Sequence, residues 1–445
     1  MADQAGPSAP KSGKRGKQYH NKDEGDGDQG NEPPRAVLAL HPSQAAIALA
    51  VGVELRIFDN KSNKLHLLLG GDSTTTAAAT STPHPATVRC IAFSKCGKFL
   101  AAATDDKTTY LWSTDTWQCI KTLKSPKKIS AINFSTDGSL LLAANKFGDV
   151  GVTSTAVPED GLSNDTQFEL FLGHYCSIIT SLSLSNDGAL LATTDRDGKV
   201  RINKMPESSP LQGCHDIQCF GFGHTDFVSC SAFVQQGDDE VLVSGGGDGT
   251  LRMWNKTTGA ELAMLQLGNT NDEDNDKAQP VLAVCPSQDG KHLVVALDGV
   301  KELCVVSVDI PGGKLVDTGR CAAAGVPFAT DISMDTSTGK FLIASGPLNT
   351  TAQAVLVCCE LNSEDKTLAV SVSEEVLPAN AKRQLQKCDE AEMQIEKIAP
   401  QKMLPGYLHK RTFVPQDEYI AGRKAPKKED AGGPSAGVVE RAEES

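Results

Sequence analysis

The sequence predicts an all-β protein folded as a seven-bladed β-propeller with a disordered tail at each end. Three observations predict it: a repeat through the middle of the chain, short apolar stretches separated by turn residues every eight to twelve positions, and polar ends with almost no apolar content. Four-stranded antiparallel sheets of this length cannot bury both faces alone, but in a ring each sheet packs on its neighbours. We expect the propeller at 36–378, a disordered tail at 1–35, and a charged tail with a short helix at 379–445.

The repeated unit consists of a short apolar strand, a turn with Asp-Gly or its equivalent, a second apolar strand, a second turn and a third strand. The clearest copies open at 93–100 (FSKCGKFL), 134–141 (FSTDGSLL) and 184–191 (LSNDGALL). The seven units start 41 to 53 residues apart, at Leu40, Phe93, Phe134, Leu184, Phe233, Cys285 and Met334. Polar insertions explain why these units exceed the usual ~40–45 residues of a propeller blade. Surface loops are expected at Gly71–Ala86, Thr153–Gln167, Met205–Asp216 and Gly268–Ala278.

A side-chain signature within the units agrees with this architecture. The stretch 245–254 (GGGDGTLRMW) resembles the end of a WD40 blade, and Gly223-His224 stands one unit earlier. The resemblance implies a structural hydrogen-bond chain that ties the turn to two strands. The residues expected to hold the blades together in this way are His174, Thr193, Asp197, His224, Ser244, Asp248, Trp254, Asp106 and Trp112. Unit four has Asn203 where the tryptophan belongs.

Composition and charge exclude several classes of function. The chain has 43 Lys and Arg against 56 Asp and Glu, a net charge of −13, which argues against a chain-wide basic surface for nucleic acid. Residues 36–378 carry a net −14, and the two tails are close to neutral. No apolar run approaches the roughly 18–20 residues of a membrane span, and the first 35 residues lack the apolar core of a signal peptide. We therefore expect an intracellular, soluble chain without membrane contact, whose 13 scattered cysteines are reduced.

Motifs of catalytic sites were not found. The letters of GxGxxG at 25–30 lie in the polar tail, where no strand precedes them and no helix follows. Cys214, His215 and Cys219 are close enough in sequence for a zinc site to be conceivable, but four tightly spaced ligands are absent. The sequence therefore predicts a non-catalytic protein with no metal and no cofactor of its own.

A cluster of charges in units three and four is the strongest candidate for a binding surface. Alignment of the units places Lys146 level with Arg196 on neighbouring turns, and Arg201 follows on the next strand. A basic spot on an acidic body is suited to a partner that carries carboxylates, and arginine is the better residue for a desolvated pair. The predicted partner-binding residues are Lys146, Arg196, Asp197, Lys199 and Arg201. The alternative is that they are ordinary solvated charges.

Four stretches of units three to five carry a more specific resemblance. They are 146–150 (KFGDV), 172–180 (LGHYCSIIT), 195–202 (DRDGKVRI) and 222–229 (FGHTDFVS). Together they resemble the WD-repeat non-catalytic subunit of the tRNA (guanine-N7)-methyltransferase. Elsewhere the chain is similar only to WD40 repeats in general.

The resemblance implies a nuclear heterodimer in which the partner chain holds S-adenosylmethionine and methylates a guanosine in the tRNA variable loop. A basic residue at the position of Arg201 would pair with acidic residues of that catalytic subunit. Gly198 departs from the acidic residue often found there, so one polar contact is expected to be missing.

An acidic propeller is a poor grip for phosphates, so tRNA is expected to bind mainly through the partner. The basic tail residues are a candidate tRNA contact, with a nuclear-import signal or a plain solvated tail as alternatives: Lys410, Arg411, Lys427 and Lys428. The rival function for the whole chain is a generic WD40 adaptor, either a substrate receptor of a ubiquitin ligase or a chromatin scaffold. An adaptor would use the central-channel face.

Overall fold

The computed structural model describes the propeller and little of the two tails. The residues it describes are 36–43, 46–62, 64–68, 84, 86–156, 164–174, 177–207, 211, 213–268, 278–322, 328–345, 355–361, 368–370 and 408. The expectations for 1–35, for the helix at Ala379–Lys397 and for the basic tail residues fall outside them. No helix in the described ranges is long and apolar enough to cross a membrane.

The described chain forms seven sheets, antiparallel except for one strand, which confirms the predicted fold class. Blade one contains β1 (Ala36–Leu40), β2 (Ala46–Val51), β3 (Glu54–Asp59) and β4 (Lys64–Leu68). Blade two contains β5 (Val88–Phe93), β6 (Phe99–Thr104), β7 (Thr108–Ser113) and β8 (Cys119–Lys124). Blade three contains β9 (Ile129–Phe134), β10 (Leu140–Asn145), β11 (Asp149–Ser154) and β13 (Glu169–Gly173); β12 (Asn164–Gln167) precedes β13 in the chain.

The remaining four blades follow the same pattern. Blade four contains β14 (Ile179–Leu184), β15 (Leu190–Asp195), β16 (Lys199–Lys204) and β17 (Ile217–Phe222). Blade five contains β18 (Val228–Gln236), β19 (Asp239–Gly246), β20 (Thr250–Asn255) and β21 (Glu261–Gln266). Blade six contains β22 (Val281–Pro286), β23 (His292–Leu297), β24 (Glu302–Asp309) and β25 (Lys314–Ala322). Blade seven contains β26 (Ala329–Met334), β27 (Phe341–Ser345), β28 (Val355–Leu361) and β29 (Leu368–Val370).

The predicted starts of the units fall at or near the end of each blade's first strand. Phe93, Phe134 and Leu184 are the last residues of β5, β9 and β14. The turn that follows repeats because its side chains satisfy its own backbone. In blade three, Ser135 Oγ donates to Asp137 Oδ1 (2.5 Å), the Ser139 amide donates to the same oxygen (3.0 Å), and Gly138 has a φ of +75°. The recurring Ser-x-Asp-Gly letters thus encode a turn rather than a binding site.

The first strands of the blades stand side by side and close the ring, because β1 contacts both β5 and β26. A hydroxyl at the second position of such a strand bonds to the neighbouring strand: Thr330 Oγ1 donates to the Ala36 carbonyl (2.8 Å), and Thr180 makes the same contact with Val228. Asp331 Oδ2 also accepts the Leu38 amide at 2.9 Å. Blades seven and one are therefore joined by side-chain hydrogen bonds and packing.

Apolar residues fill the spaces between adjacent blades. Val200 and Ile202 of blade four pack on Val228, Phe233 and Trp254 of blade five, all of them buried. Cys358 and Cys359 lie next to each other on β28 and contribute to two different clusters, as expected for consecutive strand residues. The propeller is thus held by surfaces between its sheets, and the outer strands are the most exposed.

Two of the predicted surface loops are wrong in part. The insertion Thr153–Gln167 contains β12, which pairs parallel with β8 and adds a fifth strand to the sheet of blade two. The insertion Met205–Asp216 contains Cys214, which is buried beside Phe171 and whose amide donates to the Phe171 carbonyl (2.7 Å). Polar composition indicated solvent, but these segments satisfy their backbone groups against the neighbouring blade.

Candidate protein-docking site on blades three and four

The turns between the second and third strands of blades three and four occupy equivalent positions. The Lys146 amide donates to the Lys128 carbonyl, and the Arg196 amide donates to the Ile178 carbonyl, each at 2.9 Å. The two acceptors immediately precede β9 and β14 in the same way. The prediction that Lys146 and Arg196 stand level on adjacent blades agrees with this geometry.

Asp195, rather than Asp197, holds the turn of blade four together, which corrects the role expected for Asp197. Its Oδ2 lies 3.0 Å from His174 Nδ1, and its Oδ1 accepts the amides of Asp197 (2.9 Å) and Lys199 (3.0 Å). His174 Nε2 in turn contacts Thr193 Oγ1 at 2.6 Å. Burial alone would raise the pKa of Asp195, but the bonds from His174 and the two amides outweigh it and hold that pKa below its usual range.

The Asp197 side chain forms no hydrogen bond or ion pair with any described residue. Two positions in the turn can therefore supply the carboxylate. In blade five it comes from Asp248, and Gly246 stands at the place of Asp195; a β-carbon at Gly246 would overlap the Asp248 carboxylate. An alignment of the units on their Asp-Gly letters could not show that the carboxylate comes from the first turn position in blade four and from the third in blade five.

Blade five contains the expected hydrogen-bond chain. His224 Nδ1 lies 3.1 Å from Asp248 Oδ1, His224 Nε2 lies 2.8 Å from Ser244 Oγ, and the Trp254 indole donates to Ser244 Oγ at 2.8 Å. Burial would raise the pKa of Asp248, but His224 and Thr250 lower it further than burial raises it. All of these side chains are occupied internally, so they have a structural role.

In blade two, Asp106 accepts the Thr108 amide (3.2 Å) and the Thr104 hydroxyl, and Trp112 is buried. His84, which the sequence analysis did not single out, packs on Tyr110 and Trp112 with ring centroids 5.2 and 6.0 Å away. Burial lowers the pKa of His84. This blade therefore keeps the aromatic half of the motif.

Gly198 cannot carry a side chain at all. Its φ is +82°, and an added β-carbon would lie 2.9 Å from the carbonyl oxygens of both His224 and Asp226. The turn of blade four packs directly against the connection that leads into blade five. The absence of an acidic residue at this position is therefore a requirement of local packing.

Arg201 lies on β16, with Val200 and Ile202 pointing to the opposite face of the sheet. Its Nη1 donates to the Gly173 carbonyl of blade three at 2.8 Å. Gly173 is the register partner of Asp149, which follows the turn of Lys146. Arg201 thus lies beside the turn of blade three, and the structure brings the predicted cations to one edge of two blades.

Arg201 has no carboxylate among the described residues, and its buried Nε has no hydrogen-bond partner there. Burial lowers the pKa of the Arg201 guanidinium, which is the mark of a charge partly removed from water. The remaining guanidinium donors leave room for one bidentate carboxylate.

The equivalent arginines of two other blades are paired within the chain. Arg56 of blade one forms an ion pair with Glu54 (2.5 Å), and Arg252 of blade five pairs with Glu261. In blade four, Lys199 stands at the position of Glu54, and Ile217 stands at the position of Glu261. Of these three equivalent arginines, Arg201 is therefore the one with neither internal carboxylate.

Arg196 and Lys199 show the same lack of compensation. No described carboxylate forms an ion pair with Arg196 or Lys199, and the buried Arg196 Nε also has no hydrogen-bond partner among the described residues. Lys199 is exposed, and Arg196 is half-buried. A buried unpaired donor costs free energy, so this edge is suited to an acidic partner.

The cysteines and histidine considered for zinc have separate surroundings. Cys214 Sγ donates to the Lys204 carbonyl (3.1 Å), and Cys219 Sγ donates to the Lys256 carbonyl (3.4 Å). Burial raises the pKa of the Cys214 thiol to about 11. Within the described ranges, no three His, Cys, Asp or Glu side chains are arranged to hold a metal ion.

The predicted tRNA contacts in the tail lie outside the described residues. Leu408, two positions before Lys410, is described and buried, and it packs in the cluster that contains Phe227 of blade five and Phe328, just before blade seven. At this one residue, therefore, the tail contacts the propeller.

A closed ring of seven blades with internally satisfied turns defines a WD-repeat protein. The chain belongs to the family described as the tRNA methyltransferase TRM82 WD40 domain, whose model matches residues 5–156 and 152–370.

Among curated proteins, the chain is similar to relatives named tRNA (guanine-N(7)-)-methyltransferase non-catalytic subunit wdr4. The Dictyostelium discoideum protein is 26% identical over 326 residues, which cover 70% of this chain and 66% of the relative. The Xenopus laevis protein is 34% identical over 245 residues, which cover 54% and 58%. The chain therefore spans less than two thirds of the length of these relatives.

Solved structures agree on the fold. The chain resembles the structure of U3-55K with a TM-score of 0.55 at 19% identity, covering 72% of this chain and 90% of that one. The WD40 repeats of RRP9 give the same TM-score and identity, covering 72% and 89%. At this identity the likeness concerns the propeller architecture alone.

Proposed function

We propose that this chain is the non-catalytic subunit of a tRNA (guanine-N7)-methyltransferase and forms a heterodimer with the catalytic subunit in the nucleus. The family and the names of the relatives support this assignment. The single observation that carries it is Arg201, a half-buried arginine that lacks the internal carboxylate found at both equivalent positions. An aspartate or glutamate of the catalytic subunit supplies that carboxylate.

The division of labour follows from charge. S-adenosylmethionine binds to the catalytic subunit, which methylates a guanosine of the tRNA variable loop at N7. The propeller is a rigid support that stabilises the catalytic subunit and helps to position the tRNA. With a net charge of −13 the chain is a poor primary ligand for phosphates, so most tRNA contacts belong to the partner. The basic tail adds a secondary contact through Lys410, Arg411, Lys427 and Lys428.

The edge of blades three and four docks the partner in a defined way. Arg201 Nη1 is already held by the Gly173 carbonyl, so the guanidinium is pre-oriented and loses little rotational freedom on binding. Its two terminal nitrogens receive the carboxylate end-on, because the Nε is enclosed within the protein. Arg196 and Lys146 on the adjacent turns add further charge, which speeds association more than it raises affinity.

Charge reversal at Arg201 tests the proposal. Arg201→Glu should leave the propeller folded but abolish co-purification with the methyltransferase chain and reduce tRNA N7-methylguanosine in cells. Placing like charges face to face in a desolvated contact costs about 2–5 kcal/mol. The measurements are affinity purification with mass spectrometry and nucleoside analysis of purified tRNA.

A matched pair of neutral variants controls for the loss of an arginine. Arg201→Gln should weaken the complex, whereas Arg252→Gln, which removes an arginine already paired with Glu261, should not. Unchanged co-purification of Arg201→Glu would reject the interface. The generic adaptor predicts unchanged N7-methylguanosine when the whole chain is deleted, together with partners bound at the central channel.

A further inference from the structure

Large apolar side chains lie exposed around the candidate docking site. Leu170 on β13 and Phe222 on β17 are each 66% exposed, Phe147 in the turn after β10 is 57% exposed, and Phe220 on β17 is 38% exposed. These four residues belong to blades three and four, which also carry Lys146 and Arg201. Sequence reasoning missed them because apolar residues in a short strand are normally assigned to the core.

The register of blade four places two of these aromatic side chains beside the cations. Phe220 is the partner of Arg201 across β16 and β17, and Phe222 is the partner of Lys199. Residues directly opposite each other in an antiparallel pair project to the same face of the sheet. The two phenyl rings stack with centroids 5.6 Å apart and planes at 16°. Arg201 therefore has an aromatic surface beside it.

Blade three carries two of the exposed apolar side chains, and they project differently. Leu170 is the register partner of Gly151 and lies three residues before Gly173, whose carbonyl accepts the Arg201 guanidinium. Phe147 directly follows Lys146 in the turn, and Lys127 Nζ lies 5.8 Å from the centre of its ring. Leu170 shares the face of Gly151, whereas Val150 and Val152 on the opposite face pack against blade four, so the apolar group that blade three adds beside Lys146 is Phe147.

Blade five shows that the fold does not require these groups. At the register positions of Phe220 and Phe222 it has Met264 and Gln266, opposite Arg252 and Thr250. There the arginine has its own carboxylate in Glu261. The stacked aromatic pair therefore occurs on the blade whose arginine has no internal partner.

We propose that Phe147, Phe220 and Phe222 form an apolar wall that packs against aliphatic or aromatic side chains of the catalytic subunit around its carboxylate. This inference rests on the proposed function and specifies the partner surface: a segment in which an acidic residue is flanked by apolar ones. The wall excludes water from the Arg201–carboxylate pair and so strengthens it. Buried aromatic residues also contribute directly through the area they remove from water.

The test compares Phe222→Ser with Met264→Ser, an exposed apolar residue on the outer strand of the neighbouring blade. The dissociation constant for the purified catalytic subunit is measured by calorimetry at low and high salt. Phe222→Ser should weaken binding at least tenfold at both salt concentrations, while Met264→Ser stays within twofold. In the Phe222→Ser background, Arg201→Gln should have a smaller effect than in the wild type, because water then reaches the ion pair.

The outcomes separate this inference from the proposed function. If Phe222→Ser and the double variant Phe220→Ser/Phe222→Ser bind within twofold of wild type while Arg201→Gln is weakened, the apolar wall is rejected and the proposed function stands. If the wild-type chain does not bind the catalytic subunit at all, the proposed function fails. Circular dichroism and the thermal midpoint of each variant establish that loss of binding is not loss of folding.

Discussion

Asp195 and Asp197 stand two residues apart in one turn, yet they face different environments. Asp195 is buried and bonded to His174 and to two backbone amides, whereas Asp197 is half-exposed. In blade three, Asn145 at the position of Asp195 accepts the amides of Phe147 (2.8 Å) and Asp149 (3.1 Å) in the same manner. The side chain that organises the turn can thus come from its first or its third position.

Alanine substitution at the two aspartates should separate these roles. Asp195→Ala removes three hydrogen bonds and leaves a buried imidazole unsatisfied, so the free energy of unfolding should fall by about 2–4 kcal/mol. Asp197→Ala should change it by less than about 0.5 kcal/mol. Urea denaturation followed by tryptophan fluorescence measures both. Equal losses for the two variants would contradict the assignment of the structural role to Asp195.

The fourth residue of the turn between the second and third strands has a left-handed backbone conformation, and different blades place different residue types there. Gly148, Gly198 and Gly249 occupy it in blades three to five with φ of +101°, +82° and +70°, whereas blade two has Lys107 with φ of +70°. A residue with a β-carbon costs roughly 1–2 kcal/mol in this conformation. The turn of blade two is therefore strained, and it survives because Asp106 holds the following amide.

Opposite substitutions at this position should have opposite effects. Gly198→Ala adds a β-carbon between the backbone oxygens of His224 and Asp226, so it should lower the free energy of unfolding by about 2 kcal/mol or more. Lys107→Gly relieves strain but makes the unfolded chain more flexible, so stability should be unchanged or rise by up to about 1 kcal/mol. Chemical denaturation of the two variants checks both signs, and a loss of stability in Lys107→Gly would show that the turn is unstrained.

The sequence predicted elements whose side chains satisfy local rules and missed those that depend on a neighbour. The Ser-x-Asp-Gly turns and the level positions of Lys146 and Arg196 follow from spacing, and the hydrogen-bond chain around Trp254 follows from the resemblance to a WD40 blade. β12 could not be predicted, because Asn164–Gln167 is polar and pairs with β8 of another blade. The exposure of Phe220 and Phe222 could not be predicted either. A phenylalanine on an exposed outer strand cannot be told from one in the core by sequence pattern alone.

The ring closes between blades seven and one, which the chain does not connect directly. Blades seven and one are joined by the Thr330 hydroxyl, by Asp331 and by packing between β1 and β26. Blades four and five are joined by the equivalent hydroxyl of Thr180, but there the chain itself also connects the two sheets. The threonine hydrogen bond should therefore contribute more to holding two blades together where no peptide links them.

Removing each hydroxyl with a valine of the same shape should expose this difference. Thr330→Val and Thr180→Val each leave a buried carbonyl without its partner, so each should lower the free energy of unfolding by about 1–3 kcal/mol. Hydrogen exchange should accelerate in β1 and β26 of Thr330→Val far more than in β14 and β18 of Thr180→Val. Equal acceleration in the two variants would mean that closure between blades seven and one is no weaker than any other junction.

Five of the seven described sheets are each made from consecutive strands, and the exception is β12, which lies between β11 and β13 of blade three but pairs with β8 of blade two. New ends could therefore be cut between two complete blades, and the old ends tied together, without dividing any sheet. A circular permutant that begins at β18 would keep Arg201 and its flanking aromatic residues intact near its new carboxyl end. The permutant should still bind its partner through the docking site on blades three and four. That site depends on the packing of two adjacent blades and not on their order in the sequence.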